Sequence, residues 1–522
     1  MYRTTNTSEF HLLLTGLLLF SIADLPAQMG MPDPSFGTDG LALMDIGAAS
    51  SSFSDIAQGP DGKVIAVGTV TVSTEPLVRN GLLMRLLPDG TPDPEFGANG
   101  VVTTAVFDGD YGYLFGVDVR ADGRIVVAGW CLNYSFIARF LPTGEPDPDF
   151  GTDGYVNFDE LQVRLTPMCI SYVSGGSEVL VAGSTYPDGL VEVERFNDSG
   201  VLDEGFGLGG ITTWGIVDTT DIRALAIGPG GDIYVGGQTY RTTPEVRYGS
   251  FVMRFSPEGI PDLGFGDDAV VRINANTTET DHESIGSLVA TPDGYLSFEG
   301  ATNLQAATPN GFLGRLTPTG EPDPDLNAGA IFFHGVGSGG DLIVRPDGSI
   351  VVSCVQIGGQ GYAITVKRMS WDGSPDVAFG PDGIVTLPTE IGNVDAALLQ
   401  SDGRIVVAGR IAVGAFNAMA ARFRDDLNVG LSPPGSRVFD EVSIQAGSQD
   451  ATLRFMLHRP ERLTATLCDA QGRRVWELFR DQLFTTGLHQ EPLRLGELAS
   501  GPYLITLSNG STRTSLRFIN TT

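Results

Sequence analysis

A chain of 522 residues is long enough for a large core and for more than one domain. Glycine (69) and proline (31) together make about a fifth of it, a turn-rich balance that suits β structure better than helices and stops short of low-complexity disorder. With 32 basic and 63 acidic residues the net charge is −31, which argues against a nucleic-acid groove or an anionic membrane surface as partner.

The amino end reads as export machinery. Arg3 precedes a short apolar run from His11 to Ile22, and Leu25-Pro26-Ala27 ends in a small residue suited to cleavage, so 1–27 is expected to be a signal peptide with Gln28 as the mature terminus. About a dozen apolar residues cannot span a bilayer core of about 30 Å, and no later window is longer, so no transmembrane span is expected.

From residue 28 to 428 one pattern recurs. The turn Pro32-Asp33-Pro34-Ser35-Phe36-Gly37 returns at Pro92 to Gly97 and Pro146 to Gly151, then more loosely around Phe206-Gly207, Phe265-Gly266, Leu326 and Phe379-Gly380, in steps of 53 to 61 residues. A second marker follows each turn, a glycine-containing reversal leading into a β-branched run: Asp61-Gly62, Asp122-Gly123, Gly175-Gly176, Gly230-Gly231, Asp293-Gly294, Asp347-Gly348 and Asp402-Gly403. The third is an apolar run bearing one arginine, at Arg85, Arg139, Arg195, Arg254, Arg315, Arg368 and Arg422. Three markers in a fixed order define seven units.

Proline presets φ for a turn, aspartate accepts an N–H two residues on, and glycine accepts positive φ. Between the reversals lie runs such as Ile125-Val126-Val127-Ala128 and Ile405-Val406-Val407-Ala408, which read as strands covered on both faces. Each unit has room for about four strands: one after the Phe-Gly turn, one on either side of the glycine reversal, and one carrying the arginine. No helix is predicted. The expected fold is therefore all-β, a seven-bladed β-propeller. An open array would need atypical end units, and none is seen, so the segment near Leu41 to Ile46 is expected in the same blade as, or beside, the one near Met419 to Phe423.

The units resemble the delta-60 repeat family, whose members carry P-D-x-x-F-G turns, a P-D-G-K-I-x-V-A-G strand start and an A-R-[LF]-x-x-D-G finish. Pro92 to Gly97, Pro60 to Gly68, and Ala138-Arg139-Phe140 through Gly144 carry the likeness. Leu326-Asn327 and Cys354 depart from it. The resemblance implies a propeller on an exported bacterial protein and no particular activity.

After Asn428 the markers stop, 429–436 reads as a linker, and 437–522 alternates as a small β-sandwich would. Leu463, Ala465 and Leu467 form one apolar face; Tyr503, Ile505 and Leu507 form another, before a hairpin turn at Asn509-Gly510. This segment resembles the carboxyl-terminal sorting domain of type IX secretion in the Bacteroidetes lineage, through Leu467 to Arg473, Gly487-Leu488-His489 and Leu495 to Tyr503. The usual Y-P-N-P start is missing, and Val442 to Gln445 stands near its place. The resemblance implies the type IX secretion machinery as partner, passage across the outer membrane, and a final location in the medium or on the cell surface, reached through the periplasm.

Enzyme signals fail on spacing. His282 and His334 are the only histidines of 28–428, no H-E-x-x-H exists, and neither is expected to be catalytic. The window Asp147-x-Asp149-x-Gly151-x-Asp153-Gly154 is the best calcium candidate, but it lacks the third oxygen ligand and the glycine position of an EF-type loop. No catalytic, metal or cofactor residue is therefore assigned. Cys131, Cys169, Cys354 and Cys468 are too few and too far apart for a disulfide framework and read as isolated buried thiols, with a single bridge the alternative in an oxidising compartment. The seven arginines are expected to tie strands to neighbouring blades through carbonyls or turn carboxylates, and the Phe of each turn to plug the blade interface.

The chain is thus expected to be a non-enzymatic binding or adhesion module for an extracellular ligand, a glycan or a protein. The alternative is an extracellular carbohydrate- or polymer-acting enzyme with carboxylates at the channel mouth; a third is an architectural matrix component. The segments Thr71 to Asn80 and Ala301 to Asn310 interrupt the repeat and are candidates to line a rim. Residues 437–522 hold ten arginines and nine acidic residues, so the negative charge belongs to the repeats, where turn aspartates supply much of it.

Overall fold

The computed structural model describes residues 30–425 and 439–520, apart from short segments such as 105–111, 303–309 and 335–339. The expected signal peptide (1–27) and linker (429–436) lie outside the described residues.

Turn chemistry and strand propensity cooperate in each unit. Gly62 takes a φ of +81°, a left-handed value that costs glycine little, and Pro60-Asp61-Gly62 thereby folds Ser50–Gln58 back onto Val64–Thr74. Leu77–Leu86 continues the meander, and after the Pro92 to Gly97 turn Val101–Thr104 pairs with that same arginine-bearing strand.

Among the described residues this antiparallel arrangement occurs seven times. In chain order the four-stranded sheets span 50–104, 112–157, 165–214, 219–273, 283–333 and 342–389, and the last joins 392–423 to Leu41–Leu43. These are sheets one to seven below. The first strand pairs with Ala415–Phe423 in the register Leu41↔Ala421, Ala42↔Ala420, Leu43↔Met419. The inner strands touch one another in cyclic order, and Ser50–Gln58 of sheet one lies against Gly392–Leu399 of sheet seven.

The sheet is offset by one strand from the sequence unit. The strand after each Phe-Gly turn closes the preceding sheet, because the turn is short enough to return the chain antiparallel to the arginine strand. The first such strand has no predecessor in sequence and completes the last sheet.

Each gap between sheets holds its own apolar core. Ile65, Val67 and Leu83 of sheet one pack on Ile125, Val127, Phe136 and Phe140 of sheet two, and Ile343, Val351 and Val366 of sheet six pack on Ile405, Val407 and Phe423 of sheet seven. Two departures from the all-strand expectation are short 3-10 turns, Asn327–Gly329 and Pro381–Gly383. Around Thr71 to Asn80, Thr71 pairs with Arg79 and Val70 with Asn80, so the segment lengthens a hairpin. Ala301, Thr302 and Asn310 lie in strands, while 303–309 falls outside the described residues.

The carboxyl-terminal part forms two sheets. Phe439–Ala446, Ala451–Leu457 and Gly487–Leu493 make one; Arg474–Phe484, Glu461–Asp469, Gly501–Ser508 and Arg513–Asn520 make the other. They share a core in which Leu453, Phe455 and Leu457 meet Leu463, Ala465, Leu467, Ile505 and Leu507. Val442 to Gln445 belongs to the strand Phe439–Ala446.

Candidate functional site

The antiparallel meander places the glycine reversals and the Phe-Gly turns at one end of every sheet, and the remaining hairpins and inter-sheet connections at the other. The first end is built alike in each unit. The arginine of the third strand donates from Nε to the turn aspartate eight residues on, at 2.5–2.9 Å for Arg85–Asp93, Arg139–Asp147, Arg195–Asp203, Arg254–Asp262, Arg315–Asp323 and Arg368–Asp376. Arg422 reaches Asp33 in the same way at 2.9 Å, across 389 residues of sequence.

Nη1 of each arginine then donates to the neighbouring sheet. Its acceptors are the carbonyls of Pro142, Asp198, Pro257, Pro318, Trp371 and Pro88, and for Arg368 the buried carboxylate of Asp425. The guanidinium lies 4.7–4.9 Å from the centre of the turn phenylalanine in six units, Phe36, Phe96, Phe150, Phe206, Phe265 and Phe379. In the fifth sheet Leu326 offers no ring, and Trp371 of the next unit covers Arg315 at 3.3 Å. The turn aspartate also accepts the N–H two residues on, as for Ser35, Glu95 and Asp149. Burial opposes its ionisation, but hydrogen bonds from Ser35 and the charges of Arg422 and Arg404 hold Asp33 below the usual carboxylate range.

These ties absorb all seven arginines and the turn aromatics into structure. They also consume the best calcium window, since Asp147 receives Arg124 at 2.9 Å and Arg139 at 2.7 Å.

A second group of carboxylates surrounds the axis. Six of the described inner strands carry a bulge, and Asp55, Gly116, Cys169, Ala224, Ser287 and Ala396 follow it at one level. Asp55 accepts from the N–H of Ile56 and, on the next sheet, of Val117, both at 2.8 Å. Asp341 accepts from Leu342 at 2.8 Å and from Ala397 of sheet seven at 2.9 Å. Asp118 accepts from Tyr172 of sheet three at 2.8 Å. Burial raises all three despite those donors, Asp55 to about 8. Asp395 is open to solvent, yet the protein packed around it raises it to about 6 against the pull of Arg410.

Two buried polar groups between sheets carry no sequence marker. Glu194 is 0% exposed, and it and Glu192 share one face of Val191–Phe196, where a protonated Glu194 donates to Glu192. Burial raises Glu192 to about 7, and burial plus the Glu192 charge raises Glu194 well above its ordinary value. Between sheets five and six, buried Glu299 lies 3.5 Å from Nε2 of buried His334, and Lys367 donates to the His334 carbonyl at 3.1 Å. His282 instead stacks against Tyr248, so the two histidines of the repeats are not brought together. Cys131 and Cys354 are buried thiols and Cys169 a half-buried one; burial raises all three.

The end away from the repeated turns differs from sheet to sheet. Tyr113 of sheet two stacks parallel to Phe115 at 6.1 Å and meets its cross-strand partner Trp130 at 5.9 Å, all three half-buried. Arg79 of sheet one donates to the Tyr113 hydroxyl at 2.5 Å. Tyr240 (40% exposed) stands near one hairpin tip, and Phe416 (38%) near another, beneath Arg410 at 4.9 Å.

A family model described as a domain of unknown function with a β-propeller fold (DUF5122) matches residues 59–96 and 120–150, and the chain is a β-propeller repeat protein. No curated protein matches it. Among solved structures, a protein of unknown function from Dyadobacter fermentans aligns at 12% identity and a TM-score of 0.42, covering 74% of this chain and 98% of that one. An α-L-arabinanase from Penicillium chrysogenum, solved with arabinobiose, aligns at 12% identity and 0.35, covering 61% and 93%. Prolyl oligopeptidase B from Galerina marginata aligns at 12% and 0.40, covering 78% of this chain and 56% of that one.

Proposed function

We propose that the chain is an exported, closed, seven-bladed propeller that binds an extracellular glycan or protein through the end opposite its repeated turns, with 437–522 as a β-sandwich sorting domain for type IX secretion. One observation carries the reading: the arginine, aspartate and phenylalanine of every unit are committed to inter-sheet ties at one end. The other end differs between units: Tyr113 and Trp130 lie beside Arg79, Phe416 lies beneath Arg410, and Tyr240 is exposed near a further hairpin tip. Aromatic faces with an adjacent donor suit sugar rings and peptide side chains alike. The pairing of Leu41–Leu43 with the last long strand supports ring closure, and the common core of the two carboxyl-terminal sheets supports the sandwich.

The enzymatic alternative draws on the axial carboxylates. Asp55 and Asp341, however, use both oxygens as acceptors for backbone N–H groups, which suits ties between inner strands better than proton transfer to a substrate. The test is to probe the purified full chain against glycan and protein arrays, with product analysis on polymers. Binding abolished by Trp130→Ala and untouched by Val377→Ala, at the turn end, is the expected result; release of soluble product would establish the enzyme instead. Deleting 437–522 in the native host is expected to trap the propeller in the periplasm, and secretion of the truncated chain would remove the sorting role.

A further inference from the structure

Each inner-strand bulge leaves one residue unpaired, and in the described strands these are Ser54, Phe115, Met168, Arg223, Gly286 and Asp395. Their chain neighbours pack elsewhere. Ile222 lies in the core shared with sheet three and Ala224 in the core shared with sheet five. Val394 packs toward sheet six and Ala396 toward sheet one, while Ile285 packs toward sheet four and Ser287 donates to Asp341, next to sheet six. The residue between belongs to neither gap, so the bulge turns it to the axis. Arg223, Gly286 and Asp395 are accordingly exposed, and Ser54 and Phe115 half-buried, although nearly all their chain neighbours are buried. One backbone device thus presents a different side chain on each sheet, the reverse of the repeated ties at the turn end.

Arg223 on sheet four and Asp395 on sheet seven stand three sheets apart in a cycle of seven, so they lie across the axis from one another. Phe115 on sheet two is midway along the other arc, held by its stack on Tyr113 at 6.1 Å. Gly286 on sheet five leaves room, since a Cβ there would meet no atom within 4 Å. Asp221 holds Arg223 through Nε at 3.2 Å and Nη2 at 2.7 Å, which fixes the guanidinium and leaves Nη1 outside the pair. Asp395 accepts at Oδ1 from Asn393 at 3.2 Å, which leaves Oδ2 for another donor. The protein packed around Asp395 raises it although it is open to solvent, as for a group in the wall of a recess.

We infer that this axial recess binds a small organic zwitterion with an apolar body, an α-amino acid or a short peptide with free ends. Its carboxylate accepts from Nη1 of Arg223, its ammonium donates to Asp395, and its apolar part lies on Phe115. An anion alone engages only Arg223 and is repelled by Asp395, and a cation alone meets the reverse. The site rests on the closed ring proposed above and not on the ligand proposed for the aromatic end; a cross-link between Ala42 and Ala420 tests closure on its own.

Titration calorimetry of the full chain with L-phenylalanine and with leucylphenylalanine tests the assignment, beside phenylpropionate and phenethylamine, which each lack one charge. At least one zwitterion is expected to bind about tenfold or more tighter than both analogues, and the tighter of the two identifies the source. Gly286→Phe puts a ring into open space at a backbone outside the left-handed region, and is expected to fold normally and abolish binding. Arg223→Gln and Asp395→Asn are each expected to lower affinity about tenfold. No binding of either zwitterion up to millimolar concentration, analogues that bind as tightly, or undiminished binding by Gly286→Phe would each overturn the proposal. The ligand comparison needs no variant and so stands if Gly286→Phe folds poorly.

Discussion

Arg422→Met removes the tie that joins the two ends of the repeat region. The side chain of Arg422 is almost wholly buried; it pairs with Asp33 at 2.9 Å, donates to the Pro88 carbonyl at 2.5 Å and lies over Phe36 at 4.7 Å. Methionine keeps much of the hydrocarbon stem but leaves Asp33, 2% exposed at its side chain, without its closest cation. Breaking one partner out of a buried pair costs about 3–5 kcal/mol. Arg404 still stands 3.2 Å from Asp33, so the lower end, about 3 kcal/mol, is expected. The matching change Arg195→Met leaves Asp203 with 25% of its side chain exposed and able to rehydrate, so a loss of about 1 kcal/mol is expected there. Urea unfolding of the two variants, followed by fluorescence, measures the difference. Equal losses, or none for R422M, would refute the claim that the closing tie is structural and that its burial sets its worth.

Between the sheets, Glu192 and Glu194 predict a pH dependence of defined sign. Their protons are held more tightly folded than unfolded, so the stability they allow is full below about pH 4.5 and is lost as pH rises through about 7. The Glu192 shift alone corresponds to about 3 kcal/mol. Glu192→Gln with Glu194→Gln is therefore expected to stabilise the protein at pH 8 and flatten its melting temperature between pH 5 and pH 8; an unchanged slope counts against the buried pair. Trp130→Ala is expected to leave melting within a few degrees and to abolish binding on the arrays, whereas binding that survives both Trp130→Ala and Phe416→Ala moves the site elsewhere. Asp341→Ala removes the acceptor for Leu342, Ala397 and Ser287, and a loss of about 2 kcal/mol in urea unfolding is expected, with no loss if those donors find water.

The ties at the turn end were legible because they repeat. Arg139, Asp147 and Phe150 recur at fixed spacing, and a residue type repeated in every unit is explained by a contact made in every unit. The offset of sheet from unit was not legible, since Val101–Thr104 carries the same apolar character whether it pairs backward or forward. Leu326 was visible as a departure, but its compensation by Trp371, 56 positions after Arg315, needed the neighbouring sheet to be in place. Glu194 could have been found by aligning the residue before each arginine, where Met84, Ala138, Met253 and Ala421 are apolar. Its pairing with Glu192 follows from strand alternation, whereas the approach of His334 to Glu299 joins elements distant in sequence and had no local signal.

Ring closure is the claim on which the rest stands, and a cross-link at Ala42 and Ala420 tests it most directly. These residues face each other in the register that joins the first strand to the last, at the separation a disulfide accepts. In Ala42→Cys with Ala420→Cys, closure predicts an oxidised monomer lighter by two hydrogens, with a single tryptic peptide pair containing both cysteines. Cross-linking only between chains, or two thiols that stay reduced under oxidant in the folded protein, would contradict it.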